Sequence, residues 1–224
     1  MRTLIKDLPN HIDQPVTVQG WLHKKRLLGG LNFITLRDRT GLVQMLIEDK
    51  DEVEKLRGLQ IGTVLSATGS PQVDERAVGG VEIHNPELTV MVAVTDEPPV
   101  EIDKPISHKS EHLDTLFEYR PISLRNTLES SIFRLRGEVM HDIRTYLRSE
   151  GFAEITSPKI VAGAAEGGAE VFKLDYFGKE ATLAQSPQLY KQIMVGALER
   201  VFEIGPAYRA ETSATTRQDR KSVV

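Results

Sequence analysis

The sequence predicts two folded parts in series: a small all-β closed barrel, and behind it an α+β domain of an antiparallel sheet with flanking helices. Three observations carry this. Residues 1–95 are filled with short alternating runs rich in β-branched residues. A stretch dense in proline and charge follows. From Leu124 the apolar residues switch to three- and four-residue spacing before short strands resume.

In the first part, Val16–Leu22 (VTVQGWL) alternates, and Leu31–Leu36 and Leu42–Ile47 are further strands separated by a turn at Arg37–Gly41. Lys50–Leu59 is charged with apolar residues at helical spacing and reads as a short helix. Val64–Gln72 and Val81–Val94 return to strand. Five short strands with one helix between the third and fourth is the layout of an OB-type barrel. The same pattern also fits another small barrel or a sandwich. Residues 95–110 hold three prolines among many charges, and 96–123 are read as a linker or hinge.

In the second part, Asn126 or Thr127 caps a helix of roughly 20 residues, with Glu129 near its start. Ile132, Leu135, Val139, Ile143 and Leu147 form one apolar stripe on it, and Gly151 stops it. Phe152–Thr156 is a short strand ended by Ser157-Pro158. Val171–Tyr176 and Ala181–Ala184 alternate as a hairpin turning through Phe177–Glu180. Leu189–Leu198 is helical and Val201–Tyr208 is a further strand.

The chain of 224 residues is 40% hydrophobic and 27% charged, ordinary for a globular protein with real cores. Its net charge of -4 means that any polyanion must be met by a local basic patch rather than by the global field. His23–Arg26 (HKKR), Arg37 and Arg39 supply a candidate patch, whose bland reading is a solvated rim. The absence of cysteine excludes a disulfide scaffold, thiolate metal ligands and a thiol nucleophile. The N-terminal segment has no apolar signal core and no run approaches a membrane span, so a cytoplasmic location without a membrane partner is expected.

Four features cluster after the long helix: Phe152–Pro158 (FAEITSP), Ala164–Glu170 (AAEGGAE), Gln185–Lys191 (QSPQLYK) and Phe202–Glu211 (FEIGPAYRAE). Singly, each is an ordinary surface turn, helix start or strand end. In this order they resemble the class II aminoacyl-tRNA synthetases, and within them the aspartyl and asparaginyl branch. The helix over 127–150 with the strand to Pro158 resembles that class's first motif, which builds the dimer interface. Arg209-Ala-Glu211 resembles the core of its second motif, and QSPQLYK the aspartyl signature. The resemblance runs from about Val16 to Arg217, with residues 1–95 standing where that branch carries an OB-fold anticodon-binding domain and 124–217 as the first part of the catalytic domain.

The resemblance implies an aspartate–tRNA ligase. ATP is its co-substrate, L-aspartate and tRNA(Asp) its partners, with tRNA(Asn) as a second tRNA, and the full-length protein is a homodimer. Adenylate formation brings a carboxylate against the α-phosphate of ATP. A guanidinium such as Arg209 lowers that barrier by holding oxygens of both anions in its fork. By resemblance Lys191 pairs the side-chain carboxylate of aspartate, Gln188 hydrogen-bonds the substrate and Ser186 assists. Glu166, on the glycine-rich loop, meets the ammonium as the loop closes. Glu211 belongs to the adenine end and Arg217 to the terminal phosphates of ATP. The family uses Mg2+, whose ligands are expected outside this chain. In the barrel the resemblance implicates Trp21, Phe33 and Gln44 in anticodon reading, Phe33 by stacking and Gln44 by a base edge, with Glu82 as a weaker base contact. Phe33 as a core residue is the bland alternative. His23 stands where relaxed-specificity members carry histidine, and Val78 stands where they often carry proline, so His23 favours use of both tRNAs and Val78 does not.

After Arg217 the resemblance ends. Gln218–Val224 (QDRKSVV) resembles a translated sequencing adapter, so 218–224 are expected to be non-native and the native sequence to end at Arg217. The family's third motif is absent. The chain is therefore expected to be incomplete at its C-terminus, with the strand to Tyr208 losing its hairpin partner and adenylate formation not supported. Three rival readings are an asparagine–tRNA ligase, a single-strand-binding OB module without catalysis, and a paralogue that binds an amino acid without charging tRNA. Lys191 argues against the first, because a full positive charge suits a carboxylate better than an amide.

Overall fold

The computed structural model describes residues 2–27, 30–104, 106, 113–163 and 171–210, and the backbone of 220–223. The chain divides into two compact units, residues 1–133 and 134–224.

In the first unit a 3-10 turn at Ile5–His11 precedes β1 (Val16–Leu27), β2 (Asn32–Arg37) and β3 (Leu42–Ile47). Then come α1 (Lys50–Arg57), β4 (Val64–Gly69), β5 (Pro71–Val73), β6 (Val81–His84) and β7 (Glu87–Val92). The pairing order is β5-β6-β3-β2-β1-β4-β7. Two of the five expected strands are each divided. The run expected over Val64–Gln72 breaks at Ser70, so that β4 pairs with β1 while β5 pairs with β6. This bend carries the chain from β4, next to one end of the order, directly to β5 at the other end, so the sheet curls round on itself. Gly69 permits it, since a Cβ there would lie 2.7 Å from Ile83 Cγ2. The run expected over Val81–Val94 breaks at Asn85-Pro86, where Asn85 has φ 43°, and ends at Val92.

The alternation read in the sequence is the barrel's inside and outside. Val18, Leu22, Ile34, Leu36, Met45, Leu65 and Ile83 face inward at 0% exposure. Asp38 closes the β2–β3 turn from within. Its carboxylate accepts from the N–H groups of Ile5, Thr40 and Gly41 and from the Thr40 hydroxyl. Burial pushes the Asp38 carboxyl up, but these donors outweigh it and hold it below its ordinary value. Asp49 caps α1 by accepting from the N–H groups of Asp51 and Glu52.

The expected linker is packed. Val100, Ile102, Ile106 and Leu116 are buried together, with Ile61 and Ile122 against them. This small core includes α2 (Leu113–Glu118) and adjoins α3 (Arg120–Ser123). Asn126 ties it down. Its amide donates to the carbonyls of Glu101 and Lys104, while its Oδ1 accepts from Leu128 N–H and caps α4 (Thr127–Ser149). The high proline and charge content hid the buried Val100–Ile102–Ile106 alternation.

α4 ends at Gly151, φ 81°. On it Leu135 and Val139 of the expected stripe are exposed at 67% and 47%, while Ile143 and Leu147 are half-buried. β8 (Ala153–Glu154) pairs with β12 (Val201–Phe202), and the pairing is parallel rather than the antiparallel arrangement expected. β10 (Lys173–Tyr176) and β11 (Lys179–Leu183) form the expected hairpin, with β9 (Ile160–Val161) on its other edge. α5 (Gln188–Leu198) follows. The expected strand over Val201–Tyr208 is interrupted at Glu203-Ile204, leaving β13 (Gly205–Tyr208). The edge of β13, expected to be bare, is paired antiparallel with β14 (Arg220–Val223), because any extended segment can satisfy a free row of N–H and C=O groups. Among the described residues no helix is long and apolar enough to cross a membrane.

Candidate functional site

The barrel carries a groove of about 650 Å³ on its outer face. Its floor follows from strand register. One row of residues crosses four strands as Lys24–Thr35–Gln44–Glu82 and the next as Arg26–Phe33–Leu46–His84. Phe33 and Gln44 belong to the outward set of their strands, because Ile34, Leu36, Val43 and Met45 fill the inward set. Phe33 is therefore not a core residue. Val78, 52% exposed, lies at the rim in the β5–β6 connection.

Lys24 and Arg26 reach the groove through a bulge. Val16, Val18, Gly20 and Leu22 of β1 point inward, so unbroken alternation would turn residues 24 and 26 inward too. The register shifts between Leu22 and Lys24, leaving His23 as the extra residue and reversing the alternation beyond it. Lys25 instead turns inward, where its ammonium donates to the carbonyls of Leu56, Arg57 and Leu59 at the end of α1. Burial pushes the Lys25 ammonium down from its ordinary value.

The expected HKKR patch is thus split. Lys24 and Arg26 face the groove, Lys25 caps a helix, and His23 is 9% exposed. Burial and, next, the Arg37 cation lower the His23 pKa, so a neutral imidazole is favoured. Trp21 does not line the groove; the Arg37 guanidinium lies 5.0 Å over its ring. Glu82 and His84 are the acidic and imidazole members of the floor. Gln44 Nε2 donates to Glu82 Oε2 at 2.6 Å, and His84 Nε2 lies 2.9 Å from Glu82 Oε1. The sequence reading missed His84, although its two-residue spacing from Glu82 on a strand puts both on one face.

In the second unit, Ser186, Gln188 and Lys191 come together at the start of α5. Ser186 Oγ accepts from Gln188 N–H at 3.3 Å, and Lys191 N–H bonds the Pro187 carbonyl at 2.9 Å. Gln188 and Lys191, three apart, share a helix face, with Gln188 exposed and Lys191 half-buried. Ala184 is stitched on both sides, donating to the Lys159 carbonyl and accepting from Tyr208 N–H at 3.0 Å. This brings the chain at Arg209 beside the turn that opens α5. Beneath it Glu203, 4% exposed, accepts from Lys159 Nζ at 2.6 Å and from Ser157 Oγ at 2.7 Å. Burial raises the Glu203 carboxyl, but these donors prevail and hold it below its ordinary value. The sequence reading passed over Lys159 and Glu203, since 44 residues separate them. Glu166, Glu211 and Arg217 lie outside the described residues. Among the described residues no three His, Cys, Asp or Glu side chains group as a metal site would require.

Two family models match the chain. The one for class II tRNA synthetases (D, K and N) covers residues 112–219, and the one for the OB-fold nucleic acid binding domain covers 16–91. A protein of Archaeoglobus fulgidus named aspartate–tRNA(Asp/Asn) ligase is 45% identical over 97% of this chain and 51% of its own length. A protein of Deinococcus radiodurans with the same name is 42% identical over 96% of this chain and 48% of its own length. The chain thus spans about half the length of the curated relatives it matches. In structure it is similar to the asparaginyl-tRNA synthetase of Pyrococcus horikoshii complexed with asparaginyl-adenylate, with a TM-score of 0.86 and 32% identity over 97% of this chain and 50% of that one.

Proposed function

The chain belongs to the class II tRNA synthetases of the D, K and N group, and from that premise we propose that it is part of an aspartate–tRNA ligase whose barrel reads the anticodon of tRNA(Asp) and, as a second substrate, tRNA(Asn). The observation that carries the barrel's part is the groove floor. Phe33 offers a ring for a splayed base to stack on, Gln44 and Glu82 offer polar edges beside it, and Lys24 and Arg26 offer cations for the backbone. His23, buried in the bulge, acts on tRNA choice through the backbone that carries Lys24 and Arg26, while Val78 acts from the rim. The names of the relatives support use of both tRNAs.

In the second unit the proposed chemistry is positioning and charge neutralisation. Lys191 meets the side-chain carboxylate of L-aspartate, Gln188 hydrogen-bonds the substrate and Ser186 orders the turn between them. Arg209 lies between the attacking carboxylate and the α-phosphate of ATP, and holds oxygens of both. The substrate carboxylate attacks phosphorus, pyrophosphate leaves, and no side-chain nucleophile is needed. Glu166 toward the ammonium, and Glu211 and Arg217 toward ATP, complete the assignment. Among the described residues no group of carboxylates fits a Mg2+ site. The asparagine alternative draws on the structural likeness to the Pyrococcus enzyme. Lys191 favours aspartate, because a cation facing a neutral amide would be left uncompensated. Residues 127–149 supply the helix for a homodimer of the full-length protein.

Fluorescence anisotropy with a 17-nucleotide stem–loop bearing the aspartate anticodon tests the barrel reading. Phe33→Ala is expected to weaken binding by roughly ten- to a hundredfold, the worth of one base–aromatic stack. Equal affinity of the two proteins for this RNA would refute it.

A further inference from the structure

The groove contains a hydrogen-bonded chain that the anticodon reading does not require. Glu82 is 3% exposed, so its carboxylate has lost water and depends on protein donors. Each oxygen has one: Oε2 accepts from Gln44 Nε2 at 2.6 Å, and Oε1 faces His84 Nε2 at 2.9 Å. A carboxylate only accepts, so both partners must present N–H to it. This settles the polarity of two ambiguous groups. His84 carries a proton on Nε2, and Gln44 has its amide nitrogen committed to Glu82, leaving its Oε1 as the acceptor available to a ligand. The register supports the arrangement. Gln44 and Glu82 are directly opposed across β3 and β6, and His84 is two residues along β6 on the same face. The other charged pair of the groove, Asp74 with Arg76 at 3.3 Å, adds charge to both members, since Asp74 interacts with His84 and Arg76 with Glu82, but among the described residues no hydrogen bond of this pair to either is present.

We propose that His84 is a specificity-positioning residue of the groove, acting through Glu82 to fix the Gln44 amide so that its carbonyl oxygen selects a base edge with a ring N–H. The inference rests on the anticodon reading and sharpens it. Uridine and guanosine present a ring N–H, whereas cytidine and adenosine present a bare ring nitrogen at the corresponding position. Without His84, Glu82 keeps one donor and gains a free acceptor oxygen. That oxygen accepts as readily from the exocyclic amine of cytidine or adenosine as from a ring N–H, or it draws the Gln44 amide out of its fixed orientation. Discrimination between the two kinds of edge falls, while stacking on Phe33 persists.

The test uses the whole chain, the stem–loop with the aspartate anticodon GUC, and two stem–loops in which the uridine is changed to cytidine or the guanosine to adenosine. Competition anisotropy gives the ratio of affinities for each change. The wild-type protein is expected to disfavour at least one of the two changes by ten- to a hundredfold, the usual worth of a good edge contact. His84→Leu keeps the bulk but not the donor, and is expected to reduce that ratio by about tenfold. His84→Gln, which restores an N–H at a similar reach, is expected to return it to within about threefold of wild type. Undiminished discrimination in His84→Leu would overturn the proposal, as would equal loss in His84→Leu and His84→Gln, which would mark His84 as a packing residue only. Phe33→Ala separates this from failure of the underlying reading. If Phe33→Ala loses affinity for all three RNAs while His84→Leu keeps the wild-type ratio, only the role of His84 falls. If neither substitution changes any binding, the anticodon reading falls with it.

Discussion

Replacing Asp38 by asparagine tests how the barrel is held shut. The wild-type side chain is 1% exposed. Oδ1 accepts from Thr40 N–H and Thr40 Oγ1 at 2.6 Å each and from Gly41 N–H at 3.1 Å, while Oδ2 accepts from Ile5 N–H at 3.0 Å. An asparagine can keep its oxygen toward Thr40 and Gly41, but its NH2 then faces the Ile5 N–H, donor against donor. Leaving that buried N–H without an acceptor costs about 1–3 kcal/mol, and loss of the charge on the three surviving bonds adds about 1 kcal/mol. The Arg2 guanidinium, 3.8 Å from Oδ2 and 38% exposed, contributes little. A loss of about 2–4 kcal/mol is expected, which lowers the urea midpoint by roughly 1–2 M for a slope near 2 kcal/mol/M. Trp21 is the single tryptophan, so its fluorescence reports the barrel alone. Because the folded-state carboxyl is held below its ordinary value, the unfolded chain takes up the proton first as pH falls. The stability from Asp38 is therefore complete above the ordinary carboxyl range near 4 and is lost as pH falls through the folded value. Asparagine has no such term, so the gap between the two proteins narrows toward pH ~3. A midpoint shift below about 0.3 M at pH ~7, or a gap that stays constant as the solution is acidified, would refute the reasoning.

Three further outcomes are expected. Lys24→Ala with Arg26→Ala should lower the slope of log affinity against log salt for the stem–loop by about 1.4, at roughly 0.7 per single-strand phosphate contact; an unchanged slope would mean that these cations do not meet the backbone. Lys159→Met strips Glu203 of its cationic partner and should destabilise the second unit by about 1–2 kcal/mol, discounted because Lys159 is 25% exposed; hydrogen exchange should show lost protection at the amides of Val201–Glu203, and full protection there would count against the role assigned to this pair. Leu135→Glu places a charge on the exposed stripe of α4 and should weaken self-association by about tenfold or more in sedimentation velocity; identical concentration dependence for both proteins would remove α4 from the interface.

The local pattern determined a large part of this protein. Period-two alternation over Val16–Ile47 marked both the strands and their buried members, because a pleated strand on a closed core has no other way to sort apolar from polar side chains. Three- and four-residue spacing with Asn126 before it and Gly151 behind it determined α4 to within two residues. The order of short motifs from Phe152 to Glu211 pointed to the family that the models then matched. Only the tertiary structure decided the rest, and each case depends on a partner far along the chain. The bulge at His23 turns Lys24 and Arg26 outward and Lys25 inward, and bulges are set by how β1 meets β2 rather than by β1 alone. The packed hinge depends on Ile61 from the barrel, and the parallel pairing of β8 with β12 on a strand 48 residues away (Ala153 with Val201). The row that joins Gln44, Glu82 and His84 exists because β3 and β6 are neighbours although α1, β4 and β5 lie between them in sequence. Alternation along a strand is a local property, but register between strands is chosen by the whole sheet.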